Sequence, residues 1–144
     1  MLTINPYINF NGNCEEVFNF YKSIFGGELQ LSRFKDAPAD GMPGGLSEQD
    51  ANKVLHVTLK INENTVLMGS DCPPSFPAVT FGNGYNVSIN ITDETEGQRI
   101  FDALSAGGKV FMPYQKTFWG AVFGMTSDKF GVQWMINCDL GQQK

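Results

Sequence analysis

The sequence is poor in the residues that most catalytic signatures need: one histidine and three cysteines in 144 residues. Cys14, Cys72 and Cys138 are odd in number and lack CxxC spacing, which excludes a disulfide framework or a structural zinc site. They read as reduced thiols of a cytoplasmic protein. No apolar run approaches the roughly 20 residues of a membrane helix. The opening residues, Met1 to Pro6, show no basic region followed by an apolar stretch, so secretion is not expected. Basic residues are scattered against a formal net charge of -5. Without a basic stripe there is nothing to neutralise phosphates, and nucleic acid is excluded as a partner. No Ser/His/Asp arrangement, phosphate loop or glycine-rich turn between a strand and a helix is present.

What the chain does have is a core. Its length fits a single domain over residues 1–144, and twelve phenylalanines imply bulky packing. The first half opens with a strand-like stretch, Thr3 to Phe10, broken by Asn11-Gly12-Asn13. Asn13 is a candidate helix N-cap, with Glu15 and Glu16 suited to the first turn. Val17, Phe18, Phe20, Tyr21, Ile24 and Phe25 follow at helical spacing until Gly26-Gly27 stops the helix. Strands are predicted at Glu28 to Phe34, at Val54 to Ile61, and from the Asn62-Glu63-Asn64 turn to near Asp71.

The second half repeats the order. Tyr85 to Ile91 alternates as a strand, Asp93 caps a helix with Ile100, Phe101 and Leu104, and Gly107-Gly108 ends it. Lys109 to Lys116, Phe118 to Thr126 and Val132 to Asn137 supply three more strands. The Gly-Gly stops place Phe20 opposite Phe101. Two tandem βαβββ units, about 1–72 and 85–140 with a connection over 73–84, are therefore expected. Pro73, Pro74 and Pro77 mark that connection. Asp36 to Lys53 lies outside the repeat and reads either as a mobile lid or as a solvated insertion.

Alternation separates the two faces of each sheet. Leu55, Val57, Leu59 and Ile61 oppose His56, Thr58 and Lys60; Val87, Ile89 and Ile91 oppose Asn86, Ser88 and Asn90. The apolar faces should pack under the helices, leaving the polar faces open. Val132, Trp134 and Ile136 are likewise set against Gln133, Met135 and Asn137. For the first strand the register stays open by one residue, exchanging Tyr7 and Asn9 with Ile8 and Phe10. Cys14 follows the Asn13 cap, where a helix N-terminus can activate a thiol, but it reads as a structural cysteine. Asp71 and Asp128 read as acceptors for backbone donors at strand ends.

Asn5 to Tyr21 (NPYINFNGNCEEVFNFY), Val66 to Asp71 (VLMGSD) and Thr117 to Asn137 (TFWGAVFGMTSDKFGVQWMIN) resemble PhnB-like proteins of the glyoxalase/bleomycin-resistance superfamily, the vicinal-oxygen-chelate class. The resemblance implies an α+β fold: a cupped eight-stranded mixed sheet formed by the two units, helices outside, and a ligand cavity within. Metal-dependent relatives take four His or Glu ligands from the first and last strands of each unit. Carried onto this chain, those positions hold Pro6 or Tyr7, Met68, Asn86 and Met135. Thioether sulfur is too soft for a hard or borderline divalent ion, and one histidine cannot make a two-histidine site, so no metal is expected. Some relatives bear a label related to demethylubiquinone methyltransferase; lacking a glycine-rich turn, this chain is expected to use no cofactor.

The leading expectation is a small-molecule binding protein lined by Tyr7, His56, Thr58, Met68, Asn86, Ser88, Asn90, Tyr114, Trp119, Phe123 and Met135. His56 is the candidate catalytic residue, because imidazole changes charge near neutral pH; its other reading is structural. His56 and Trp119 are expected to line one cavity, and Trp119 and Phe123 read alternatively as packing or dimer contacts. The alternative function is a metal-dependent lyase, isomerase or dioxygenase with displaced ligands. A homodimer is expected, since related proteins commonly pair and the aromatic content leaves apolar surface to spare.

Overall fold

The computed structural model describes residues 1–37, 47–73 and 76–141. The chain divides into two compact units, Met1–Thr80 and Phe81–Lys144. The first contains β1 (Tyr7–Phe10), α1 (Cys14–Phe25), β2 (Glu28–Arg33), α2 (Glu48–Ala51), β3 (Val54–Asn62) and β4 (Thr65–Asp71). Its sheet runs β1-β4-β3-β2, with β1 parallel to β4 and the other pairs antiparallel. The second contains β5 (Val87–Ile91), α3 (Glu94–Ser105), β6 (Lys109–Lys116), β7 (Ala121–Ser127) and β8 (Gln133–Asp139). Its sheet runs β5-β8-β7-β6, again with one parallel pair, β5 and β8. Each unit is thus βαβββ in its main elements, and the eight strands form two four-stranded mixed sheets.

The helices form for the reasons the pattern suggests. Cys14, Val17, Phe18, Tyr21 and Ile24 make the buried stripe of α1, and Gly97, Ile100, Phe101 and Leu104 that of α3. The two helices are both 12 residues long, and Tyr21 and Phe101 share the eighth position. Tyr21, not Phe20, is therefore the partner of Phe101 in the repeat. The physical reason is one extra residue: Gly26 directly follows α1, whereas Ala106 separates α3 from Gly107. After each helix the chain passes close to its own sheet. A Cβ on Gly27 would strike the Lys60 carbonyl, and one on Gly108 the Ser127 carbonyl.

Strand faces follow the burial. In β1, Ile8 and Phe10 are buried, so Tyr7 and Asn9 occupy the face away from α1. That settles the register left open by the sequence. In β3, Val57 and Leu59 are buried, and His56 and Thr58 lie on the other face. Gly69, paired with Ile8, leaves room for the Phe18 ring. In the second unit Trp134, Ile136 and Cys138 of β8 are buried, with Met135 and Asn137 alternating between them.

Several sequence boundaries move. β5 begins at Val87, so Asn86 precedes the strand. β7 begins at Ala121; Phe118 and Trp119 occupy the β6–β7 turn, closed by Thr117 N–H to the Ala121 carbonyl at 2.8 Å. Asn13 makes no side-chain cap to α1. Instead Asp71, at the end of β4, accepts from Gly12 N–H at 2.8 Å and Cys14 N–H at 3.0 Å. Of the segment Asp36 to Lys53, residues 38–46 lie outside the described residues, so its reading as a lid does too. Its end forms α2, capped by the Ser47 hydroxyl.

Candidate functional site

The open face of the first sheet is built from four strands in register. Tyr7 of β1 pairs with Met68 of β4, Met68 with Thr58 of β3, and Thr58 with Gln30 of β2. One step along the strands, Asn9 pairs with Ser70 and His56 with Ser32. The side chains connect as the register allows. Tyr7 Oη lies 3.3 Å from His56 Nδ1, and His56 Nε2 lies 3.0 Å from Thr58 Oγ1. The Tyr7 and His56 ring centroids are 5.6 Å apart at 37°. Beside them the Ser70 hydroxyl donates to Asn9 Oδ1 at 3.0 Å. Tyr7 is 45% exposed, so this hydrogen-bonded chain ends at an accessible hydroxyl.

The sequence anticipated Tyr7, His56, Thr58 and Met68 on this face, and the structure brings the first three into one hydrogen-bonded group. Gln30, Ser32 and Ser70 were missed. Their signal was the alternation of Glu28, Gln30 and Ser32 with Leu29 and Leu31 in β2, and of Met68 and Ser70 with Leu67 and Gly69 in β4.

The second sheet's open face has a different character. Met112, Met125 and Met135 follow one another across β6, β7 and β8, and Ser88 of β5 completes that row. Gln115, Phe123, Asn137 and Asn90 form the next. Trp119 packs from the turn onto Phe123, centroids 5.9 Å apart, and Phe118 packs edge-on against Trp119. Trp119 therefore reaches Phe123 from a turn, not by strand alternation. It belongs to the second unit and His56 to the first.

Tyr114 leaves the proposed set. It is 9% exposed, stacks on Phe101 of α3 at 5.7 Å, and donates to the Glu94 carbonyl at 3.2 Å. Burial, followed by the neighbouring Cys138, pushes its phenol up to about 12. Gly97 exists to admit it, since a Cβ there would strike the Tyr114 hydroxyl. Tyr114 is a helix-packing residue.

The Cys14 and Cys138 thiols are equally structural. Burial first, then Asp71 and Glu15, push the Cys14 thiol up, away from the reactive thiolate. Cys14 and Cys138 are fully buried. A cleft of about 470 Å³ opens at the N-terminal end of α1, and Asn11, Glu15, Asn52, Lys53 and Asp71 are among its walls. Its charges are paired internally. Arg33 makes two 3.0 Å bonds to Glu15, holding that carboxyl below its ordinary range, and Lys53 bridges Asp50 at 3.0 Å. A second cleft, about 440 Å³, borders Asn90, Asn137 and Asp139. Neither is lined by His56 or Trp119.

The strand register also tests the metal positions. Tyr7 stands beside Met68, and Met135 stands beside Ser88, so Ser88 rather than Asn86 is the second-unit counterpart of Tyr7. Within each unit the pair, a phenol with a thioether in the first and a hydroxyl with a thioether in the second, does not fit a hard or borderline divalent ion. Pro6 offers only its carbonyl, which already accepts from Met68 N–H at 3.1 Å.

Two four-stranded mixed sheets, each made by a βαβββ unit, define an α+β protein of the glyoxalase type. Solved structures described as glyoxalase-related or glyoxalase/bleomycin resistance proteins share this fold, at 14–17% identity and a TM-score of 0.58. The family model described as 3-demethylubiquinone-9 3-methyltransferase matches residues 3–137, and the chain belongs to that PhnB-like family. Protein YjdN of Escherichia coli is 34% identical over 94% of this chain and 95% of its own length. The crystal structure of PA1353 from Pseudomonas aeruginosa is 38% identical, covers 96% of this chain and 98% of its own, and superposes with a TM-score of 0.80. A Bacillus cereus structure described as a PhnB protein is 26% identical over 95% of this chain and 99% of its own, with a TM-score of 0.72.

Proposed function

We propose that this protein binds a small organic molecule on its open sheet faces without the aid of a divalent metal. The observation that carries this reading is the Tyr7–His56–Thr58 hydrogen-bonded chain on the face away from α1, where Tyr7 stands beside Met68, the two first-unit positions that the family resemblance gives to metal ligands. A few directed polar groups beside adaptable apolar side chains suit small-molecule recognition. Tyr7, His56, Thr58 and Met68 would supply contacts in the first unit; Ser88, Asn90, Trp119, Phe123 and Met135 would do so in the second, with Asn86 at its margin.

The methyl transfer named in the family description finds no support at the helix N-termini, where Rossmann-type folds hold nucleotides. Asp71 occupies the Gly12 and Cys14 N–H groups, and Asp93 occupies those of Thr95 and Glu96. Elemental analysis of the purified protein should find far less than one zinc, nickel, iron or manganese ion per chain. About one ion per chain, removed by chelator together with ligand binding, would overturn the reading.

A cytoplasmic location and a homodimer complete the proposal. Among the described residues no helix is long and apolar enough to cross a membrane. Val110, Phe111 and Met112 of the edge strand β6 are each 44–49% exposed, apolar surface suited to a second copy. Sedimentation should give about twice the 15.9 kDa chain mass, and a monomer at high micromolar concentration would count against dimerisation.

A further inference from the structure

We infer that Tyr7, His56 and Thr58 form a proton relay, and that its substrates are 1,3-dicarbonyl-type compounds whose keto and enol forms it interconverts. The inference rests on the binding reading above and adds a reaction to it. Its basis is the linear order of the three groups. Thr58 Oγ1 is 3.0 Å from His56 Nε2, and His56 Nδ1 is 3.3 Å from Tyr7 Oη. With the ring proton on Nε2, His56 donates to Thr58 and Nδ1 accepts from the Tyr7 hydroxyl. Both lone pairs of the phenol oxygen are then free to meet an acidic substrate proton at the accessible end of the chain. An apo distance of 3.3 Å suits a contact that tightens when a ligand closes the site.

The step balances without any co-reactant. The substrate's C–H proton passes to Tyr7 oxygen as the phenol's own proton moves to His56 Nδ1. The C–H electron pair becomes the enolate, and His56 becomes an imidazolium that still donates from Nε2 to Thr58. Returning the proton through Tyr7 to the enolate oxygen gives the enol and restores the starting state.

The surroundings restrict the substrate. Within the rows that meet the relay, β1 contributes Tyr7 and Asn9, β2 Gln30 and Ser32, and β4 Met68 and Ser70, all formally neutral. The nearest charged positions on this face are Glu28 and Lys60, paired with each other one row beyond Thr58. Among the described residues of the face, only the imidazolium formed in the step faces the developing enolate. A simple ketone would need more than that. A 1,3-dicarbonyl spreads the charge over two oxygens of its own, which the Ser32 hydroxyl and the amides of Asn9 and Gln30 are chemically suited to meet, Ser70 holding Asn9 by its Oδ1. Tyr7 is thus the catalytic residue, and Thr58 is a positioning residue that accepts from His56 Nε2–H in the tautomer the relay uses.

The single histidine makes the test direct, because one imidazole gives one set of ring ¹⁵N resonances. Full-length protein would be mixed with 2,4-pentanedione, and exchange of its central C–H followed in D₂O. The wild type should accelerate exchange over buffer. Tyr7→Phe and His56→Gln should each lose about a hundredfold or more of that acceleration, the scale of general acid–base catalysis. Thr58→Val should move the His56 nitrogens from an Nε2–H pattern toward a tautomer mixture, a change that a merely structural threonine would not produce. Methyl resonances of Met68 report binding separately. Perturbed Met68 with unaccelerated exchange, or with exchange untouched in Tyr7→Phe, would overturn the relay and leave the binding reading standing. An unperturbed Met68 at saturating probe, with no acceleration, would overturn the relay and count against the binding reading.

Discussion

Replacing Asp71 with alanine should lower the unfolding free energy by about 3–5 kcal/mol, because three backbone donors would lose a charged acceptor at once. Asp71 is 1% exposed at the end of β4. One carboxylate oxygen accepts from Gly12 and Cys14, and the other accepts from Val54 N–H at 2.8 Å. A single side chain therefore ties the last strand of the unit to the start of α1 and the start of β3. The buried cost of the carboxylate is offset by three charge-assisted bonds, each worth more than a neutral one. Asp71→Asn isolates the effect, since the amide keeps one acceptor oxygen and turns an NH₂ toward the remaining donors. Its expected loss is intermediate, roughly 2–3 kcal/mol. Urea denaturation of the wild type and both variants checks the order. A loss under about 1 kcal/mol for Asp71→Ala would mean that water or main-chain shifts satisfy those donors.

The same residue shows how far the sequence could be read. That a short acceptor after Ser70 would bind backbone donors followed from its place at a strand end. That the donors would lie 59, 57 and 17 residues away did not, because only the pairing of β4 with both β1 and β3 brings them together. The Asn13 cap failed locally: at φ −109° and ψ 18° Asn13 is not in the extended conformation of a capping residue, and Asp71 instead fixes the N–H groups on either side of it.

The two βαβββ units were legible because each helix carries a clean apolar stripe and ends at a glycine pair. The faces of β3 were legible because its alternation is regular from Val57 to Lys60. β1 was not, since Tyr7, Ile8 and Phe10 place apolar bulk on both sides and only contact with α1 decides between them. Tyr114 was misplaced for a related reason. β6 is an edge strand whose pairing with β7 shifts register twice, between Val110 and Met112 and between Met112 and Gln115, so period two does not predict its faces. The polar row of the candidate site was half legible: His56 and Thr58 are obvious, whereas Gln30, Ser32 and Ser70 join them only through cross-strand register.

The second large effect is expected at Trp134, whose replacement by alanine should cost about 3–5 kcal/mol, the range for deleting a fully buried aromatic. Trp134 heads the largest fully buried side chains, at 1% exposure on the helix-facing side of β8. It does more than fill volume. Its indole N–H donates to Asp128 Oδ2 at 3.0 Å, while Asp128 Oδ1 accepts from Phe130 and Val132 N–H at 2.9 and 3.1 Å. The carboxylate thus folds the turn between β7 and β8, and the indole holds the carboxylate. Trp134→Ala removes both the packing and one donor to a group only 3% exposed. Trp134→Phe separates the two contributions: it keeps most of the ring volume and loses the N–H, so about 1–3 kcal/mol is expected from the donor and the residual cavity together. Phe and Ala variants of equal stability would show that the hydrogen bond to Asp128 dominates. A wild-type-like Phe variant would show that packing dominates and that Asp128 holds the turn without the indole.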